Sequence, residues 1–146
     1  MPQSVAILGS TGSIGENTLR VIADNPDRFD VAALAAGSNW EKLSDQARAF
    51  SPRLVSVADP TDGERLREAL PAGIRVLSGE EGLREVAAGA GAGIVVSALV
   101  GAAGLLISDT EPFPADAIVV LAGGGPERSR EAAQIYRTGL ASQVVL

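Results

Sequence analysis

Gly9, Gly12 and Gly15 follow directly on the apolar run Val5–Leu8 and open onto an amphipathic stretch with Ile14, Thr18, Leu19 and Ile22 at helical spacing. That stretch stops before Asn25-Pro26, a pair that ends helices. A strand, a G-x-x-G-x-x-G loop and a helix in immediate succession leave few options. Glycine lets the chain turn sharply off the strand and approach a ligand with bare backbone. The helix start then directs N–H groups and a partial positive charge at the same place. A glycine triplet alone could be only a tight turn. Its position between a first strand and a first helix favours a dinucleotide pyrophosphate site built on Gly9, Ser10, Thr11, Gly12, Ser13 and Ile14.

The alternation continues. Strands are expected at 31–36, 54–58, 74–77 (weak) and 94–99, with helices at 40–50, 60–70 and 79–88. The spacing predicts right-handed βαβ units and an α/β, Rossmann-like three-layer fold with a mostly parallel sheet. Composition agrees. Apolar residues make up 46% of the 146 while aromatics make up 3%, so the core must be Ala, Val, Leu and Ile, as suits strands buried on both faces.

The second strand ends Ala35-Ala36-Gly37-Ser38-Asn39. No carboxylate is present to hold a ribose 2′-hydroxyl or repel a 2′-phosphate. Ser38 and Asn39 are small donors suited to that phosphate and also suited to capping the next helix; both roles are expected. Trp40 is expected to pack the second helix rather than stack on adenine.

Other function classes are narrowed by what is missing. The net charge of −6 and the lack of a basic stripe argue against nucleic acid. With no Cys and no His, a disulfide, a thiolate nucleophile and a Cys/His zinc site are excluded. Neither a signal-peptide h-region nor a stretch near the ~20 apolar residues of a membrane span occurs, so a cytoplasmic protein off the membrane is expected.

Beyond Leu106 the character changes. Residues 107–114 (ISDTEPFP) form a Pro-broken linker, in which Asp109 and Glu111 read as a solvated acidic loop rather than a metal site. Strand 117–121, a Gly123-Gly124-Gly125 loop, helix 127–138 and strand 144–146 follow. The triple glycine fits an anion-binding loop and a plain turn equally well. The chain stops inside a strand, an ending expected of a truncated or spliced product. Run 117–121 is uncharged and aliphatic, and is expected to complete the main sheet beside strand 94–99.

Several motifs together resemble one family. Ile7-Leu8-Gly9-Ser10-Thr11-Gly12-Ser13-Ile14-Gly15, Thr18-Leu19, Asn25-Pro26, the run Val31–Asn39, Phe50-Ser51-Pro52-Arg53, Val76-Leu77-Ser78-Gly79 and Ala98–Leu105 are similar to the NADPH-binding N-terminal domain of 1-deoxy-D-xylulose 5-phosphate reductoisomerase. The resemblance covers residues 4–106. It implies an NADPH-dependent enzyme of non-mevalonate isoprenoid biosynthesis that converts 1-deoxy-D-xylulose 5-phosphate to 2-C-methyl-D-erythritol 4-phosphate with Mg²⁺ or Mn²⁺. It further implies that Thr11, Gly12, Ser13 and Ile14 hold the pyrophosphate. Gly37, Ser38 and Asn39 would meet the 2′-phosphate, and Ala98, Val100 and Gly101 would line the groove. The family's metal ligands and substrate turn do not occur here, so no residue takes a catalytic role and the chain alone is expected to be inactive. A homodimer is compatible with the resemblance. Residues 115–141 resemble instead the first βαβ unit of YdcF/SanA-like domains. The expected organisation is a cofactor domain over 1–106, a seam over 107–114 and an incomplete strand–helix–strand segment over 115–146. The alternative function is an inactive nucleotide-binding module or fusion fragment whose tail has a separate role.

Overall fold

In the computed structural model, residues 1–98, 118–119, 137 and 144–145 are described. The chain divides into two compact units, Met1–Leu99 and Val100–Leu146.

The first unit alternates strand and helix throughout. Strand β1 (Gln3–Leu8) leads to helix α1 (Ser13–Asp24), β2 (Phe29–Ala36) to α2 (Trp40–Phe50), β3 (Leu54–Val57) to α3 (Pro60–Ala69), and β4 (Arg75–Ser78) to α4 (Gly79–Ala87). A short 3₁₀ turn over Gly89–Gly91 precedes β5 (Ile94–Ser97). The strands are all parallel, in the order β4-β3-β2-β1-β5.

Local chemistry sets the boundaries. Asn39 caps α2, its Oδ1 accepting the Lys42 N–H at 3.1 Å. Asp59 caps α3 by accepting the Thr61 N–H at 2.7 Å, and Pro60 takes the first helical position, where a missing N–H costs nothing. The Thr61 amide also holds the exposed Asp59 carboxyl below its ordinary pKa. Ser51, in the left-handed conformation at φ 49°, ends α2 just ahead of Pro52.

The aliphatic runs become the core. Val5–Leu8 and Val31–Ala36 are buried at every position, and the largest fully enclosed side chains include Ile7, Leu34, Leu43, Leu54 and Leu66. Right-handed crossovers running β1 to β4 in one direction put α1, α2 and α3 on one face of the sheet. Helix α4 returns the chain from β4 past β3 and β2 to the far side of β1, touching all four strands on its way. It lies so close that a Cβ on Gly82 would come 2.8 Å from Leu77 Cβ.

Within the second unit, Ile118–Val119 (β6) pairs in parallel with Val144–Val145 (β7), and Arg137 is helical. The run 117–121 is expected to extend the main sheet; its described residues, Ile118–Val119, are laddered to β7 instead. The residues between β6 and β7, like those between β5 and β6, satisfy the length a parallel crossover needs, so chain length permits either pairing and does not choose between them. The linker 107–114, the Gly123–Gly125 loop and most of helix 127–138 lie outside the described residues.

Leu43 on α2 is fully buried, whereas Val21 on α1 is 56% exposed. Leu43→Ala should therefore cost about 2–5 kcal/mol, and Val21→Ala should stay within about 0.5 kcal/mol. Urea unfolding of both variants measures the difference.

Candidate functional site

Reversal of strand order occurs at β1. The chain leaves β1 toward β2, and β5 joins the opposite side of β1. Ligands of open parallel sheets bind at the carboxyl ends of strands beside such a reversal. Three segments lie at that end: loop 9–12 after β1, turn 37–39 after β2, and Ala98 after β5. Ala98 joins the end of β5 to the end of β1 by donating its N–H to Leu8 O at 2.7 Å.

The loop is anchored from beneath. Both Gly9 N–H and Ser10 N–H donate to Ala35 O, at 2.8 and 3.0 Å. Gln46 on α2 donates from Nε2 to Ser10 O at 2.9 Å. Ser10 itself is fully buried. Its Oγ has no partner, nor does Gln46 Oε1. Ser10 therefore supports the loop from the inside, while Thr11 is half-buried and Gly12 and Ser13 are exposed.

The glycines separate into two kinds. Gly9 has φ +79°, a conformation that side chains disfavour. Gly15 has no room: a Cβ there would collide with Gly9 O and lie 2.5 Å from Ser10 Cα. The fold needs both. It needs neither Gly12 nor Gly37. Gly12 has φ −81° and ψ 169°, which any residue adopts, and its nearest obstacle is Gly9 O at 3.5 Å. Around a Cβ on Gly37 nothing lies within 4 Å. An open glycine alone marks no site, since Gly73 on the loop before β4 is equally open. Gly12 differs because it stands at the start of α1 with no side-chain cap. The first backbone bond into the helix is Glu16 N–H to Gly12 O, at 2.9 Å. The amides of Ser13, Ile14 and Gly15 are therefore left without a helical partner.

The β2 turn presents small polar groups. Gly37 O accepts the Ala58 N–H at 3.0 Å. Ser38 and Asn39 are exposed. The cap uses Asn39 Oδ1 and leaves its Nδ2 available as a donor. Trp40 is half-buried, and the Arg65 guanidinium lies 5.8 Å from its ring centre. It packs against a cation from α3. Sequence reasoning missed that pairing, the Gln46 anchor, and an ion pair between Lys42 Nζ and Glu16 Oε1 at 2.6 Å. None leaves a local pattern in the sequence. The structure thus brings Gly9–Ile14, Gly37–Asn39 and Ala98 to one end of the sheet. Val100, Gly101, Asp109 and Glu111 lie outside the described residues. Among the described residues no cluster of acids could hold a metal ion, and no helix is long and apolar enough to cross a membrane.

Residues 5–122 match the model of a family described as 1-deoxy-D-xylulose 5-phosphate reductoisomerase. The match runs past Leu106, where the sequence resemblance was expected to end. The chloroplastic reductoisomerase of Mentha piperita is 49% identical over 108 residues, covering 71% of this chain and 23% of that protein. The reductoisomerase of Chlorobaculum tepidum is 52% identical over 108 residues, covering 71% and 28%. Among solved structures, the Zymomonas mobilis reductoisomerase in complex with NADPH superposes with a TM-score of 0.66 at 38% identity, covering 71% of this chain and 27% of that one. A DOX-P reductoisomerase in complex with NADPH, fosmidomycin and magnesium superposes with a TM-score of 0.75 at 32% identity, covering 97% and 35%. The chain spans about a quarter of the length of the curated relatives it matches.

Since Gly15 has no space for a side chain and Gly12 does, the two should respond differently to alanine. Gly15→Ala should lose about 1–3 kcal/mol of stability or more, as overpacking does. Gly12→Ala should unfold at nearly the parent's urea midpoint. Equal losses would mean that the fold needs both glycines.

Proposed function

Because this chain belongs to the 1-deoxy-D-xylulose 5-phosphate reductoisomerase family, we propose that its first unit is the part of such an enzyme that holds NADPH. Gly12 carries this reading. It is a glycine that neither backbone conformation nor packing requires, at the uncapped start of α1. A side chain there would occupy the space in which a pyrophosphate meets the amides of Ser13 and Ile14. Thr11 and Ser13 add hydroxyl donors beside them. Gly9 and Ser10 act by shaping the loop, one through its positive φ and the other through its buried anchor.

The cofactor's adenosine end lies at Gly37, Ser38 and Asn39. Bare backbone at Gly37 permits close approach, and the Ser38 hydroxyl and Asn39 Nδ2 donate to the 2′-phosphate. At the end of β5 the groove is assigned to Ala98, and on the family resemblance alone to Val100 and Gly101. NADPH supplies a hydride when bound; these residues bind and orient it. The reduction and rearrangement of the sugar phosphate, and the divalent metal that assists them, are proposed for the whole protein, with no residue among the described ones assigned to either. A cytoplasmic location and a homodimer stand as proposals on the same footing.

For the tail we propose a strand–helix–strand unit built from β6, a helix through Arg137, and β7. Their parallel ladder supports it. The family match through residue 122 favours counting this unit with the reductoisomerase. The YdcF/SanA-like reading of 115–141, with a seam over 107–114, is the alternative, and makes the chain a chimera with a nucleotide-binding first unit.

Calorimetric titration tests the cofactor reading. NADPH should bind more tightly than NADH, since a hydrogen bond to a charged phosphate is worth about 1.5–3 kcal/mol. Gly12→Val should abolish binding while the circular dichroism spectrum stays that of the parent. Equal affinities, or a Gly12→Val protein that still binds, would contradict the assignment.

A further inference from the structure

The turn that meets the proposed 2′-phosphate, Gly37-Ser38-Asn39, contains no cation. A dianionic group would there be held by neutral donors alone. The first cation along the chain after that turn is Lys42. Its backbone is fixed within the first turn of α2, where its N–H donates to Asn39 Oδ1 at 3.1 Å. Its ammonium reaches across to α1, where it lies 2.6 Å from Glu16 Oε1. Lys42 is thus tied at its backbone to the 2′-phosphate turn and at its ammonium to the first turn of the pyrophosphate helix.

Glu16 is an unexpected neighbour for a bound anion. It stands in the first turn of α1, the end at which the cofactor's phosphates are proposed to sit. A lone carboxylate there would repel them. Lys42 neutralises it. The pair is also easily parted: its side chains are 37% and 44% exposed, and ion pairs at such exposure contribute little. A phosphomonoester carries close to two negative charges at neutral pH, against one on the carboxylate. A lysine on a flexible four-carbon stem will therefore exchange the weaker partner for the stronger when both are within reach.

We propose that Lys42 is a specificity-determining residue for the phosphorylated cofactor: Glu16 holds its ammonium in the free protein, and the 2′-phosphate takes it on binding. This rests on the placement of NADPH above. The two can fail separately, because NADH shares the pyrophosphate and lacks the 2′-phosphate.

The test is calorimetric titration of the whole chain and its Lys42→Ala, Lys42→Arg and Glu16→Gln variants with NADPH and with NADH, at low and high salt. Lys42→Ala should weaken NADPH about tenfold, equivalent to about 1.4 kcal/mol, and leave NADH within about twofold. Lys42→Arg should restore most of the preference. Glu16→Gln releases the ammonium and should tighten NADPH more than NADH. The NADPH preference should shrink with salt in the parent and be nearly salt-independent in Lys42→Ala. Equal loss for both cofactors, or none for either, would overturn the role of Lys42 while leaving the cofactor site standing. A parent chain that binds neither cofactor would overturn the site and this inference together.

Discussion

Helix α1 presses against the Gly9–Ser10 turn so closely that position 15 can carry no side chain. The arrangement of the site depends on that contact. It brings the helix start up against the end of β1, so the free amides of Ser13 and Ile14 open at the carboxyl edge of the sheet rather than some ångströms along it. Gly9, in its left-handed conformation, allows the chain to leave β1 and turn into the helix within four residues. The anchors to Ala35 O and from Gln46 Nε2 then hold the turn from the β2 and α2 side. A larger residue at 15 would lift the helix off the turn and take the amides with it.

Sheet order turns that local contact into a site. Since β5 joins β1 on the side away from β2, the strand order reverses at β1, the place beside which open parallel sheets bind ligands at their carboxyl ends. Turn 37–39 stands at the end of the next strand over. One loop, one turn and one strand end thus come from three places in the chain to the same end of the sheet. The core beneath is aliphatic and fully buried, which lets loops at the rim be set by hydrogen bonds instead of bulky packing.

Much of this was legible in the sequence. Aliphatic runs at 5–8, 31–36 and 54–58 gave away strands because burial on both faces leaves no polar alternation. Asn25-Pro26 and Ser51-Pro52 marked helix ends through backbone chemistry that acts over two or three residues. The site loop was legible for the same reason. Three features were not. The glycines of the triplet look alike in sequence, yet two serve the fold and one does not, a distinction set by neighbours distant from the loop. Ser10 reads as an outward donor but is buried. Gln46, which anchors the loop from 36 positions away, belongs to an unremarkable helix face. Within the run 117–121, Ile118–Val119 is a strand, but its partner is β7 and not the main sheet: an uncharged aliphatic run asks for burial without naming the strand beside it.

Mapping the bound cofactor on the backbone amides tests the central claim most directly. In a ¹H–¹⁵N correlation spectrum of the whole chain titrated with NADPH, the largest shifts should fall on Thr11 to Ile14, on Gly37 to Asn39 and on Ala98, with little change across α4 on the opposite face. Shifts centred on α4, or a spectrum that NADPH leaves unmoved, would contradict a cofactor site at the start of α1.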